Sequence, residues 1–354
     1  MKWKTITETV WDRLKKENRP IVLYGMGDGA DKILKVFESY GIKASGVFAS
    51  DEFVRGHDFA GFPVRTLAQT IEVFGENIVI VISFASQRAE VLEKMYELNA
   101  KFDVVAPDVP VAGEGIFNLE FAKAHEKEFD KVFELLADER SKQVLDNMIC
   151  FKLTGKIEYL VQGEDDKNEI FTDVLKPTEN EHFVDLGAYN GDTIRELLSY
   201  TNGKFASITA LEPDKRNFKK LKKYVEENLS GDIVLKNAGA WDSDCVLTFA
   251  AKAGRNSKVA SKGIETNMRS VDSVLSGKEC TFLKMDVEGS EKEAIFGAKN
   301  TLKTWKPKLN IAAYHRNEDL FALVLQIHEI CPEYKFYFRH HPYVPAWDIN
   351  LYAK

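Results

Sequence analysis

Asp185 closes an apolar run, and the loop after it, Gly187-Ala-Tyr-Asn-Gly191, opens an amphipathic stretch reaching Tyr200. A second apolar stretch ends on Leu211-Glu212-Pro213-Asp214. Strand, glycine loop, helix, strand and carboxylate in that order put Glu212 where both hydroxyls of a ribose diol can donate to it. The glycine spacing is Gly-x-x-x-Gly, whereas a dinucleotide loop carries its second glycine two residues after the first, so that backbone amides can approach a pyrophosphate. Asp185 suits a cationic ligand group better than a phosphate. The set fits a nucleoside that carries an amino acid and a sulfonium. Gly187 and Gly191 are expected to keep β-carbons clear of that ligand. Asn190 and Thr193 would orient the loop or the ligand carboxylate, with helix capping as the alternative for Thr193. Asp214 either adds to the ribose site or starts a helix, and Asn237 either flanks the base or forms a turn.

A second constellation follows in Lys284-Met-Asp286-Val-Glu288 and His315. Lys284, Asp286 and Glu288 alternate, so they point to one side if the extended backbone continues. His315 follows the apolar run Leu309–Tyr314, and a parallel sheet would bring it beside the end of the preceding strand. Asp286 is then expected to face both cofactor and acceptor. His315 suits a general base for an attacking hydroxyl, with proton removal concerted with group transfer. Alignment for in-line attack would supply most of the catalysis. Asp286, Glu288 and His315 also form an oxygen and nitrogen set for a divalent metal, which would lower the hydroxyl pKa; plain hydrogen bonding is preferred. His340 and His341 are expected in an exposed polar turn.

These residues need a frame to hold them. From Phe183 onward, strands are expected near 183–186, 207–211, 233–237, 281–286 and 309–314. The final pair, Lys335–Arg339 and Asp348–Tyr352, is joined by a turn too short for a parallel crossover, so it must be antiparallel. Earlier in the chain, Ile21–Tyr24, Gly25-Met-Gly27-Asp-Gly29-Ala30 and the stretch Asp31–Tyr40 repeat the strand, loop and helix order. Strands near 44–48, 78–82 and 103–106 complete a smaller parallel sheet. Gly25, Gly27 and Ala30 match a dinucleotide pattern and Asp51 offers a ribose acid, yet a tight turn that lets helix and strand approach explains the same residues and is preferred. Charged helical stretches at 118–137 and 139–153 lie between the two sheets. The division expected is 1–112, a Rossmann-like domain; 113–175, a helical connection; and 176–354, the ligand-binding domain.

The chain has 354 residues and formal charge −7, which argues against nonspecific nucleic-acid binding. Lys215–Lys223 is expected to solvate a helix face. The four cysteines form no Cys-x-x-Cys pair, so reduced thiols are expected rather than a disulfide framework. No run of about 20 apolar residues spans a membrane, and the start is not a signal peptide; a cytoplasmic location is the expectation. The sequence carries no signal for oligomeric state.

Residues from about 138 to the end resemble the FkbM methyltransferase family. The resemblance rests on Asp185-Leu-Gly-Ala-Tyr-Asn-Gly-Asp-Thr193, Glu212-Pro-Asp214, Asn237-Ala-Gly-Ala-Trp-Asp242 and, above all, Leu283-Lys-Met-Asp-Val-Glu-Gly-Ser-Glu291 with Ala294-Ile-Phe-Gly297. It implies a class I methyltransferase fold, a Rossmann-like α/β sheet of seven strands with an antiparallel terminal hairpin. It also implies S-adenosylmethionine as cofactor and O-methyl transfer to a small-molecule or glycan acceptor, commonly a sugar hydroxyl. Many members lack the amino-terminal domain, which instead resembles that of bacterial sugar acyltransferases in Gly41–Phe48, Phe59-Ala-Gly-Phe-Pro-Val64 and Ser83–Arg88. There the domain binds a nucleotide sugar. The competing readings are a nicotinamide-dependent sugar-nucleotide oxidoreductase using Gly25 and Gly27, and a noncatalytic sugar-nucleotide-binding protein with a vestigial fold.

Overall fold

The computed structural model describes residues 1–162, 164–249 and 264–354. Short β-branched runs become the buried strands of two sheets. The first sheet contains β1 (Ile21–Tyr24), β2 (Gly46–Phe48), β3 (Asp58–Phe59), β4 (Phe62–Arg65), β5 (Val79–Ile82) and β6 (Asp103–Val105), in the order β3-β4-β2-β1-β5-β6. All its pairings are parallel except β3 with β4. The β3–β4 hairpin was not expected; Ala60 and Gly61, both at positive φ, make its two-residue turn.

The second sheet holds β7 (His182–Leu186), β8 (Ser207–Leu211), β9 (Asp232–Lys236), β13 (Phe282–Met285), β14 (Lys308–Ala312), β15 (Phe336–His340) and β16 (Ile349–Ala353). Its order is β15-β16-β14-β13-β7-β8-β9, with β16 antiparallel to both neighbours. Each expected strand of this half appears within two residues of its expected bounds. The order reverses beside β7, so the carboxyl ends of β7, β8 and β13 open a crevice. A small third sheet, β10 (Gly239–Ala240), β11 (Cys245–Phe249) and β12 (Ile264–Arg269), was not expected. Its polar alternation, as in Ile264-Glu-Thr-Asn-Met-Arg269, gives little apolar signal.

The joining segment does more than connect. Its first expected helix breaks at His125, whose ring stacks on Phe321 with centroids 4.7 Å apart. The helix Glu139–Thr154 buries eleven residues and ends at Gly155 in the left-handed region. One contiguous hydrophobic cluster runs from Val22, Tyr24 and Ile80 of the first sheet, through Leu145, Met148 and Ile149, to Leu283, Met285 and Ile311 of the second. The outer faces have their own clusters, around Trp11 and Phe37 for the first sheet and around Phe183 and Leu221 for the second. Main-chain bridges from Leu136 and Glu164 also cover β15, which would otherwise be an open sheet edge.

Candidate active site

The strand β7 delivers Asp185 into a fully buried position at the mouth of the crevice. Neither carboxylate oxygen accepts a hydrogen bond among the described residues. The Lys284 ammonium lies 3.4 Å away and donates to the Gly187 carbonyl at 3.0 Å. Burial raises the Asp185 pKa to about 6, against the pull of Lys284. The Lys284 contact offsets part of the cost of burying this carboxylate, and its oxygens keep acceptor capacity for a further donor.

Gly187 has φ +80°, and a β-carbon there would sit 1.9 Å from the Asp286 carbonyl oxygen. Gly191 has φ +85°, and its β-carbon would meet the Tyr224 ring at 2.7 Å. Both glycines are therefore demanded by the protein's own packing, before any ligand is considered. The loop between them is fastened by Glu212. Its Oε2 accepts the Tyr189 N–H at 2.8 Å and its Oε1 accepts the Asp214 N–H at 2.8 Å. Each oxygen keeps a lone pair for one further donor. Burial lifts the Glu212 pKa to about 7, opposed by those two backbone donors.

Other expected ligand residues take local roles. Asp214 caps the helix Lys215–Asn228 through the N–H groups of Arg216 and Asn217. Asn237 ties the turn after β8 by donating to the carbonyls of Glu212 and Pro213 at 2.9 and 3.1 Å. The Asn190 side chain accepts from Arg195 at 2.7 Å. Thr193 stands half-buried in the first turn of the helix Asp192–Tyr200, whose N-terminus has no side-chain cap. The capping alternative for Thr193 therefore does not hold.

Across the crevice, β13 ends at Met285 and does not continue to Glu288, which adopts φ +56°. The single-sided alternation expected for 284–288 fails at this turn. The turn nonetheless brings Glu288 to 3.6 Å from His315 Nε2, while Asp286 Oδ1 lies 3.5 Å from the same nitrogen. The opposite ring nitrogen, Nδ1, lies 2.9 Å from Glu291 Oε1, and both side chains are 1 % exposed. Burial alone would lower the His315 pKa; the charges of Glu291, Glu288 and Asp286 outweigh it and hold the ring well above its ordinary value. A general base must be neutral, and these carboxylates favour the charged ring instead. Tyr314 completes the group, its hydroxyl 3.5 Å from Asp286 Oδ2.

Residues 185–340 match the family model described as the methyltransferase FkbM domain. The chain carries an FkbM methyltransferase domain. The methyltransferase also shares its fold with the solved structure of methyltransferase FkbM from Methylobacillus flagellatus KT, at 24 % identity and TM-score 0.74. That likeness covers 95 % of this chain and 90 % of the other, so it extends over both sheets. Precorrin-6y C5,15-methyltransferase from Geobacter metallireducens GS-15 is much more distant, with 10 % identity over 51 % of this chain and 81 % of the other and TM-score 0.33. Fibrillarin from Aeropyrum pernix, crystallised with natively bound S-adenosyl-L-methionine, has 12 % identity over 50 % of this chain and 67 % of the other, also at TM-score 0.33. No curated protein matches the sequence.

Within the methyltransferase site, Glu291 is the residue that sequence reasoning passed over. It lay in the quoted motif, but only the fold shows it buried against His315, with its Oε1 also accepting the Val287 N–H at 2.9 Å. Asp286, Glu291 and His315 are the group with metal-ligand proximity among the described residues, their atoms lying within 4.8 Å of one another. The two nitrogens of an imidazole diverge, so one ion cannot take both. An ion on Nε2 would meet Asp286 and Glu288, with Glu291 behind the ring.

His340 and His341 are buried rather than in an exposed turn. Burial lowers both pKa values, that of His340 to about 4, so neither is a cation for an acidic ligand. No helix among the described residues is long and apolar enough to cross a membrane.

Proposed function

We propose that this methyltransferase uses S-adenosylmethionine and methylates a hydroxyl of a sugar or glycoconjugate. The observation that carries the cofactor reading is the Asp185 carboxylate, buried at the carboxyl end of β7 with Lys284 at 3.4 Å as its ion partner and acceptor capacity left on its oxygens. The ammonium of an amino-acid moiety would take up that capacity. Glu212, at the end of the neighbouring strand, has one lone pair on each oxygen left for a ribose diol. The residues present therefore fit the group. When bound, S-adenosylmethionine supplies an electrophilic methyl carbon on a sulfonium.

The chain's own part is to position the acceptor and take its proton. Asp286 is 38 % exposed, at the end of β13, and faces the crevice. Burial raises the Asp286 pKa above the usual carboxylate value, against the pull of Lys284 and His315, which makes it a stronger proton acceptor. Asp286 then accepts the hydroxyl proton as the new bond forms at oxygen, with Tyr314 orienting Oδ2. Glu291 holds negative charge 2.9 Å from Nδ1 and acts as a positioning residue, and Glu288 adds charge at Nε2. This assigns the proton to Asp286 and makes His315 its partner.

The glycine loop of the first sheet speaks against the nicotinamide reading. Tyr24 stacks on Phe48 and meets Phe84 edge-on, with centroids 4.7 and 5.0 Å apart, filling the carboxyl ends of β1, β2 and β5. Asp28 at the start of the following helix would repel a pyrophosphate.

Isothermal titration with S-adenosylmethionine, NAD and UDP-glucose tests the ligand, and methyl-labelled cofactor with a panel of sugars tests the transfer. Saturable binding of S-adenosylmethionine alone, with label on sugar oxygen, is expected. Binding of NAD without S-adenosylmethionine would overturn the assignment.

A further inference from the structure

Three distant segments line an open cleft of about 640 Å³. Gln87 enters it from the first sheet, Glu164, Asp166 and Lys167 from the joining segment, and His341 and Asp348 from the loop between β15 and β16. The walls are fixed by main-chain bonds. Ser86 and Val344 exchange N–H···O bonds of 2.9 and 3.0 Å, and the Asp165 N–H donates to the His340 carbonyl at 2.7 Å. A cleft built this way exists before any ligand arrives, so binding has little ordering to accomplish.

The lining is acidic. Glu164 accepts from the Tyr96 hydroxyl at 2.5 Å, Asp166 from the Asn168 N–H at 2.9 Å, and Asp348 from the Asn350 amide at 2.6 Å. Each carboxylate has acceptor capacity beyond these bonds. Asp165 also faces the cleft, but Arg140 pairs with it at 2.5 Å. Lys167 is the cation among the lining residues, 3.9 Å from Asp348 and 3.7 Å from Glu196. His341 adds no charge: burial lowers its pKa, and its ring nitrogens meet the Asp165 carbonyl and the Tyr352 hydroxyl, each at 2.9 Å. The cleft adjoins the strand end that carries Tyr314: the Ala313 N–H donates to the Ile349 carbonyl at 2.9 Å, which sets Asp348 beside the chain at Tyr314, and the Tyr314 hydroxyl lies 3.5 Å from Asp286 Oδ2.

The geometry points to this cleft as the acceptor site, selective for a polyhydroxylated ring that carries an amino group and no phosphate. The inference rests on the methyl-transfer reading above and narrows its acceptor to an amino sugar. Hydroxyl and ammonium donors match the carboxylates of Glu164, Asp166 and Asp348, whereas a phosphate or diphosphate would bring anions against three like charges. Sugar phosphates and sugar nucleotides are thereby rejected. Gln87 makes the first sheet a wall of the acceptor site.

Saturation-transfer NMR on the full chain with S-adenosylhomocysteine present tests this, using glucosamine, glucose, glucose 6-phosphate and UDP-glucose as probes. Glucosamine is expected to bind more tightly than glucose by on the order of fivefold, as one partly exposed ion pair provides. The two phosphorylated probes are expected to show no saturable binding. Asp348→Asn should erase the preference for glucosamine over glucose, and Gln87→Ala, at an exposed position, should weaken glucosamine. Equal or tighter binding of either phosphorylated probe, no sugar binding at all, or a preference indifferent to both variants would overturn the inference. Cofactor affinity is measured in the same samples by calorimetry. Failed sugar selection with cofactor bound defeats this inference alone, while a wild type that binds no cofactor defeats the reading beneath it.

Discussion

The molecule holds two glycine loops on two parallel sheets, Gly25–Gly29 after β1 and Gly187–Gly191 after β7. Both rely on glycine for the same reason. A β-carbon at Gly29 would meet the Ser83 carbonyl oxygen at 2.4 Å, and one at Gly187 would meet the Asp286 carbonyl oxygen at 1.9 Å. Each loop crosses the end of a neighbouring strand too closely for a side chain. The difference lies in what surrounds them. The first loop is packed with aromatic rings and followed by an acid, and its strand-end segment Ser83–Arg88 is used to dock on Val344. The second leaves a buried carboxylate met only by Lys284 at 3.4 Å, and Glu212 with lone pairs to spare. A glycine loop thus reports close backbone approach, while spare acceptor capacity beside it is what a ligand could use.

The largest effect that would sharpen this contrast is at the glycines themselves. Gly187→Ala forces a β-carbon into backbone at a positive φ, so it should destabilise the fold by about 3–5 kcal/mol and abolish cofactor binding. Gly27→Ala, at φ +123° with open space around the added carbon, should cost only about 1–2 kcal/mol of backbone strain and leave cofactor affinity intact. Thermal melts and titration calorimetry on both variants decide it; equal cofactor loss in the two would erase the distinction between the loops.

Next in size is the chemistry. Asp286→Asn should slow methyl transfer by about 10²–10⁴-fold with near-normal cofactor affinity. If instead His315 is the base, its raised pKa makes the rate climb with pH to a plateau well above pH 6.5. With Asp286 as base the fall in rate comes at lower pH, through a carboxylate pKa that burial raises. An activity abolished by chelator and restored by Mg²⁺ would replace both with a metal on Asp286, Glu288 and His315.

A smaller loss is expected at the ribose acid. Glu212→Ala should weaken S-adenosylmethionine by about 1.5–3 kcal/mol, as for hydrogen bonds to a charged group. Asp51→Ala, the exposed counterpart in the first half, should change nothing. Unchanged affinity in a folded Glu212 variant would remove its assignment.

The smallest effect is on pH. Burial raises the Glu212 pKa to about 7 and that of Asp185 to about 6, so the ligand-free fold carries protons that the ionised, ligand-bound forms do not. Cofactor affinity should therefore fall as pH drops from 8 to 6, by up to about tenfold per pH unit for each group below its pKa. Binding should release protons in that range, seen as a dependence of calorimetric heat on buffer. By the same sign, these two groups make the ligand-free fold less stable as pH rises through those values.

The strands of both sheets were legible because buried β-strands leave apolar runs such as Val79–Ile82 and Phe183–Leu186 bounded by turn residues. The surface sheet of β10, β11 and β12 was not, since polar strands leave no such run. Asp185, Glu212, Asp286 and His315 were legible because strand order alone puts strand ends on one side of a parallel sheet. Glu291 and Tyr314 were not, because their roles depend on the helix and loop packing that turns them toward His315 and Asp286.

The sequence by itself determined the strand and helix succession, the glycine loops and the acids that end β7, β8 and β13, since local propensity and period carry that information. Tertiary structure alone decided which loop stayed open, the carboxylates gathered around His315, the burial of His340 and His341, and the acidic cleft between Gln87, Glu164 and Asp348. Each of these depends on electrostatic and packing contacts between residues far apart in the chain, and such contacts leave no periodic trace in the order of amino acids.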